Sequence, residues 1–355
     1  MNPLCWRKLL HIFALLTATV LGFCAFDARA FDWTTARGFN VTPNISRADL
    51  GYLAGLGMNV VRVSFADSPL IRRNLPYENN RASFEKLDEI IAAAKIYRLA
   101  VIIDPHTSPG FNNPYTTSET DAFWANRMLQ DRLNDLWIEI AKRYGHDKDV
   151  VLAYDLLNEP VTPRMSDRNG VIDWNQLVRR MVKSIRKYDS IHAIMIEPAR
   201  HPNIDGAYNS FFEALRDLKL PPDVNIVVSP HMYAPLELTH QGVLPQFRSH
   251  VRYPGIIAGV FWDKRHMADV LGRARDFTSA TGVPIFIGEF SASVQAGEDG
   301  DRYLDDLTEV MNALSFGWAY HAYKENPAWD PQSPSLKRGV SGQSVRMKIL
   351  LRGRG

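Results

Sequence analysis

A chain of 355 residues with 46% hydrophobic content is long enough to bury one large core, and a formal net charge of only +2 gives it no field along its length to gather nucleic acid. Its two cysteines, Cys5 and Cys24, fall in the first thirty residues, so disulfides and cysteine-ligated metals are excluded beyond them.

The chain begins with a short basic start, Arg7-Lys8, an apolar run from Leu9 to Phe26, and Ala28-Arg29-Ala30, a small-x-small cleavage pattern. This predicts a signal peptide over residues 1–30, leaving 31–355 as one secreted or periplasmic domain with no stable membrane insertion. A retained anchor is the alternative, although the run is at the short end for a span. Lipidation at Cys24 is disfavoured because bulky Phe23 precedes it. Arg7, Lys8 and Arg29 against Asp27 account for the whole charge excess, so residues 31–355 are formally neutral.

Beyond the leader, compact apolar runs alternate with helical stretches. The runs are Gly38–Thr42, Met58–Phe65, Leu99–Asp104, Val150–Leu157, Ala193–Glu197, Asn225–Ser229, Pro284–Phe290 and Phe316–Ala322. Most are four to eight residues long and rich in Val, Ile or aromatics, as strands buried on both faces should be. Between them Leu87, Ile90, Ile91 and Ala94 share one helical face, as do Leu129, Leu133, Leu136 and Ile140, with Gly145 at the expected stop. A third helix is predicted over Trp174, Leu177, Met181 and Ile185, with Asp173 as its cap. The tail after Ser335 is basic, and Val345–Leu351 reads as a final amphipathic helix with solvated basic residues. Strand–helix alternation demands parallel pairing through crossovers. An α/β fold, a single-domain (β/α)8 TIM barrel, is favoured over an open sheet, because polar residues recur at the ends of many strands and not at one switch point.

Two of those strand ends carry carboxylates. Tyr154-Asp155-Leu156-Leu157-Asn158-Glu159-Pro160 ends a buried strand in an amide and an acid, and Pro160 stops the ladder. Glycosidic cleavage needs one such acid to protonate the departing oxygen, with its pKa raised by burial. Val283-Pro284-Ile285-Phe286-Ile287-Gly288-Glu289-Phe290 delivers a second carboxylate. As a nucleophile it must stay ionised, which calls for neighbouring donors or positive charge. In a retaining pair the two carboxyl groups should lie about 5 Å apart. Arg62 and Tyr233 are candidates to hydrogen-bond the nucleophile, while His106 and His231 suit sugar hydroxyls or the acid. Singly, Asn-Glu-Pro also reads as a turn, Glu289 as a cap, Arg62 as a buried ion pair and either His as a satisfied core residue.

The motifs Arg37-Gly38-Phe39-Asn40, Arg62, Asp104-Pro105-His106, Asn158-Glu159-Pro160, His231-Met232-Tyr233 and Gly288-Glu289-Phe290 make residues 31–355 resemble glycoside hydrolase family 5, the cellulase-like retaining glycosidases. The resemblance implies that Glu159 is the acid/base and Glu289 the nucleophile, with Arg62, His106, Asn158, His231 and Tyr233 lining the sugar site. It implies no metal or organic cofactor. The family's usual Trp at the end of the eighth strand is replaced by His321 in Phe316-Gly317-Trp318-Ala319-Tyr320-His321, with Trp318 packing outward. Among the tryptophans of rim loops, Trp124, Trp262 and Trp329, only Trp262 is taken as a stacking subsite.

These features together predict hydrolysis of a β-linked polysaccharide or oligosaccharide by a monomer, most simply as an endo-β-1,4-glucanase. The alternatives are a β-mannanase, an exo-glucosidase, a transglycosylase, a hydrolase trimming an exopolysaccharide, or a non-catalytic carbohydrate-binding barrel.

Overall fold

The computed structural model describes residues 31–111, 122–163, 173–202, 208–223, 225–337 and 342–352. The predicted leader, residues 1–30, lies outside them. Each apolar run coincides with one strand: β1 Arg37–Val41, β2 Val60–Ser64, β3 Ala100–Asp104, β4 Val151–Asp155, β5 Ala193–Ile196, β6 Ile226–Val228, β7 Phe286–Ile287 and β8 Gly317–Tyr320. They pair in parallel in the order β6-β5-β4-β3-β2-β1-β8-β7. Parallel bridges Val228–Ile285 and Met232–Phe290 join the two ends, so the sheet closes into a barrel.

Helices fill the crossovers: α1 Arg47–Gly55, α2 Arg81–Tyr97, α3 Arg127–Tyr144, α4 Trp174–Ile185, α5 Lys264–Thr281, α6 Gly297–Ala313 and α7 Val345–Arg352, with a single turn, Phe211–Ala214, after β5. The apolar faces expected of α2, α3 and α4 are all buried. Asp173 stands at the N-cap of α4 without a capping side-chain bond. The segment after β6 also forms an antiparallel hairpin, Gly255–Ile257 with Val260–Trp262. Among the described residues no helix is long and apolar enough to cross a membrane.

Strand alternation divides the interior into two cores. Val61, Val63, Val101 and Ile103 point outward and pack with the helices. Val60, Ile102, Ala153, Met195, Val227, Phe286 and Ala319 point inward, joined by Trp33 and Ala36 ahead of β1. The lower lumen is therefore a dry plug. One pleat further up each strand, Asn40, Arg62, Asp104 and Asp155 continue the inward series and are fully buried. This places charge at the C-terminal mouth, above a layer that admits no water from below.

Candidate active site

Arg62 is the hub of the mouth. Its Nη1 donates to Glu289 Oε1 at 2.6 Å and to Asn40 Oδ1 at 2.9 Å. Its Nε donates to Asp155 at 2.8 Å, and its Nη2 reaches Asn158 Oδ1 at 2.9 Å, Glu197 at 3.1 Å and Asp104 at 3.1 Å. One guanidinium cannot by itself neutralise four buried carboxylates, so like-charge repulsion and desolvation raise the least compensated of them, and the imidazoles of His106 and His231 add positive charge beside the rest. Burial pushes the Asp155 carboxyl well above the usual carboxylate range and raises Glu197 as well.

Glu289 takes the opposite course. Burial works against its charge, but His231, His321 and Arg62 together hold its carboxyl well below the ordinary value. Tyr233 adds a hydrogen bond to Oε2 at 2.9 Å. Burial and the neighbouring Glu289 raise the Tyr233 phenol well above its usual range, so it remains a donor.

Glu159 stands across the mouth. A carboxylate oxygen of Glu159, one of Glu289 and a ring nitrogen of His231 all lie within 4.8 Å of one another. His231 Nδ1 sits 3.0 Å from Glu159 Oε1 and 3.7 Å from Glu289 Oε2, while its Nε2 is 3.3 Å from Glu197. Burial disfavours the imidazolium, yet Glu197 and Glu289 raise His231 well above the ordinary histidine value. The raised carboxyl expected from the sequence is therefore not found at Glu159. Burial does push it up, but the hydrogen bond and charge of His231 outweigh that and hold it at about 2. Glu159 and His231 are hydrogen-bonded and shift one another in opposite directions, so they titrate as a pair. Among the described residues, Glu159, His231 and Glu289 are also the set whose donor atoms cluster tightly enough for a metal ion.

Backbone geometry supports the arrangement. Glu159 has φ 44°, a left-handed conformation that a non-glycine residue holds only when its surroundings over-determine it. Its N–H donates to Glu197 Oε2 at 2.8 Å. Gly288 is required before Glu289, because a Cβ there would lie 2.2 Å from Ser229 Oγ and 3.0 Å from His231 Nε2. Asn40 Nδ2 donates to the Gly288 carbonyl at 2.8 Å.

The structure thus brings Glu159, Glu289, Arg62, Asn158, His231 and Tyr233 into one bonded network. His106 joins through Asp104, its Nδ1 lying 2.7 Å from Oδ2, and this carboxylate overcomes burial to raise the imidazole to about 9. His321 is close as well, with Nδ1 3.8 Å from Glu289 Oε2. Trp318 points away from the lumen, edge-on to Phe290.

Trp262 is a correction. The hairpin's alternation turns it inward, 7% exposed and edge-on to His266, while Phe261 points out at 56%; no stacking platform is available at Trp262. The ring that does approach the mouth is Trp329. Tyr233, His240, Trp329 and His321 follow one another at centroid distances of 5.2, 5.5 and 5.7 Å, and His321 returns to Tyr233 at 6.3 Å. Burial lowers His240 to about 4, so it is neutral. Asn40, Asp104, Asp155, Glu197 and His240 also belong to the site although no expectation from the sequence assigned them to it, and of the candidate rim tryptophans it is Trp329, not Trp262, that stands beside it. For Glu197 a signal existed: Glu197-Pro198 ends β5 just as Glu159-Pro160 follows β4.

Comparison with known proteins agrees with this geometry. The family Cellulase (glycosyl hydrolase family 5) matches residues 26–327. Endoglucanase C of Acetivibrio thermocellus is 30% identical over 309 residues, 79% of this chain and 84% of that protein. Cellodextrinase A of Ruminococcus flavefaciens is 26% identical over 281 residues, 76% and 75% of the two chains. Among solved structures, endoglucanase Cel5A of Thermotoga maritima superposes with a TM-score of 0.69 at 23% identity, covering 93% of this chain and 100% of that one. The clostridial cellulose synthase subunit Z of Clostridioides difficile gives a TM-score of 0.69 at 21% identity over 90% and 99%. Both structures are likenesses of fold. With barrel, motif order and family match in agreement, the chain belongs to glycosyl hydrolase family 5, the cellulase family of retaining glycoside hydrolases.

Proposed function

We propose that this enzyme hydrolyses β-1,4-glucan chains by double displacement, with Glu289 as nucleophile and Glu159 as acid/base. The names of the relatives, endoglucanase and cellodextrinase, support the substrate class. The observation that carries the mechanism is the approach of the two carboxylates to within 4.8 Å, the close spacing of a retaining pair and short of the roughly 6.5–9.5 Å that an inverting pair needs to seat its water beside the sugar.

In the first step an ionised Glu289 oxygen bonds to the anomeric carbon as the glycosidic C–O bond breaks. Arg62 and Tyr233 keep that carboxylate charged and fix its direction. The leaving oxygen takes its proton from Glu159 Oε1, which draws it along the 3.0 Å bond to His231. In the second step water attacks the glycosyl-enzyme, its proton returns to the Glu159–His231 pair, and Glu289 is released. Asn158, whose Oδ1 is taken by Arg62, presents its amide N–H groups to a sugar hydroxyl. His106 and His321 supply further polar contacts, and Trp329 backs His321 as an apolar wall. Residues 1–30 act as a signal peptide on this proposal, and residues 31–355 work outside the cytoplasm as a monomer.

Glu289→Gly tests the assignment. The variant should be inactive yet folded, and azide should restore turnover of 2,4-dinitrophenyl β-cellobioside with an α-glycosyl azide as product. A β-glycosyl azide, or near-normal hydrolysis without azide, sinks it. Product profiles on β-glucans and β-mannans test the choice of sugar.

A further inference from the structure

Glu197 is buried and titratable, and none of the steps above uses it. It contributes no atom to the cleft, being fully buried beneath it. Its two carboxylate oxygens nevertheless serve the acid/base residue from two sides. Oε2 accepts the Glu159 backbone N–H at 2.8 Å, at the residue whose φ is 44°. Oε1 lies 3.3 Å from His231 Nε2, on the far edge of the ring that bonds Glu159 through Nδ1. Arg62 Nη2 anchors Oε1 at 3.1 Å, and Trp174 Nε1 of α4 donates to the Glu197 backbone carbonyl at 2.9 Å, so side chain and main chain of the residue are both held.

We infer that Glu197 is a positioning residue for general acid catalysis: it holds the Glu159 backbone in its turned conformation and sets a carboxylate against the far edge of the His231 ring. Without a carboxylate at Nε2, the His231 ring has no charged partner behind it and faces only Glu159 and Glu289 through Nδ1. The charged groups around the ring are Glu159 beyond β4, Glu197 at the end of β5 and Glu289 beyond β7. Arg62 of β2 lies next to Glu197 and Glu289, and Arg200 adds positive charge near Glu159. Phe211 packs beside the ring, tilted against it with centroids 5.2 Å apart. A negative group behind Nε2 favours the doubly protonated ring. The pair then keeps its transferable proton at neutral pH, and the strained Glu159 backbone keeps Oε1 aimed at the leaving oxygen.

The inference rests on the proposed roles of Glu159 and Glu289, and its test separates the two. Glu197→Gln retains shape and one acceptor but removes the charge. On cellotetraose, whose leaving group needs a proton, the variant should lose about 10²-fold in kcat/KM at pH 8. The loss should shrink toward pH 5, because the basic limb moves to lower pH by one unit or more. On 2,4-dinitrophenyl β-cellobioside, whose leaving group needs no proton, the first step should fall by less than about threefold. An equal loss on both substrates at every pH would mean a merely structural role and overturn the inference, while the Glu289→Gly azide test would still stand on its own. Should Glu197→Gln fail to fold, the unmodified enzyme decides. With 15N-labelled histidine, His231 should show protons on both ring nitrogens at pH 7, and a neutral ring there overturns the inference.

Discussion

Arg62, Asn158, Glu159, His231, Tyr233 and Glu289 are linked by hydrogen bonds, so the effect of a substitution depends on what is left unpaired. Tyr233 offers a clean case, because its ring packs against His240 while only the hydroxyl touches Glu289. Tyr233→Phe removes one hydrogen bond to a charged acceptor, a contribution of about 1.5–3 kcal/mol. If that bond is made mainly in the transition state, kcat/KM falls by about 10- to 150-fold. Glu289 then loses a group that favours its ionised form, so its carboxyl rises and the acid limb of the pH profile should move to higher pH. A loss below about threefold with an unmoved limb would mean that Arg62 alone holds the nucleophile. The same dependence explains what could be read beforehand. Glu159, Glu289 and Arg62 stand out in the sequence because a charge at the end of a strand buried on both faces has no solvent to answer to. Glu197 offered the same signal and was passed over, since the end of a run reads equally well as its exit to water. Trp262 misled for another reason: alternation says that Phe261 and Trp262 face opposite ways, but only the hairpin's pairing says which faces in.

The strands and the helices of α2, α3 and α4 were legible from periodicity alone, since the residues expected on one face are the ones buried. The last helix forms where its pattern predicts, and Arg352 at its end is solvated, but one of its basic residues departs from that reading. Its basic residues suggested a solvated face, yet Arg346 of α7 is fully buried. It reaches Asp301 of α6 at 3.0 Å, the Ser293 carbonyl at 3.3 Å and the Ala292 carbonyl, in the loop that leaves Glu289. Composition cannot separate a buried arginine from an exposed one, because the partners here are two backbone carbonyls more than fifty residues away. Arg346→Met keeps the apolar stem and strands these acceptors with a half-paired Asp301. Breaking a buried pair in this way costs about 3–5 kcal/mol. The urea midpoint should fall accordingly, and kcat should fall more than KM rises, because the loop behind the nucleophile loses its clamp. An unchanged midpoint would show that α7 is only a cover.

At the scale of the whole molecule, the alternation of strands and helices pointed to a barrel, but closure itself was not readable. It depends on the bridges Val228–Ile285 and Met232–Phe290 between β6 and β7, which are short strands with a long excursion between them. Closure is what gathers titratable groups from the ends of β2 to β8 into one mouth, and it makes stability depend on pH through that mouth. His106 is raised to about 9 by Asp104, so its contribution is fully present below about pH 6.5, the unfolded value, and is lost as pH climbs through 9. His231 acts in the same direction. Glu159, held at about 2, contributes above the unfolded glutamate value of about 4.3, and that part disappears as pH drops toward 2. The urea midpoint should therefore be highest between about pH 5 and 6.5, decline from 6.5 to 9, and drop again below about 4. His106→Asn should be less stable than the parent at pH 6 and lose less between pH 6.5 and 9, bringing the two curves together on the alkaline side. If the parent's midpoint is flat over that interval, or if the variant declines just as steeply, the Asp104–His106 pair is not the charged clamp that its 2.7 Å contact implies.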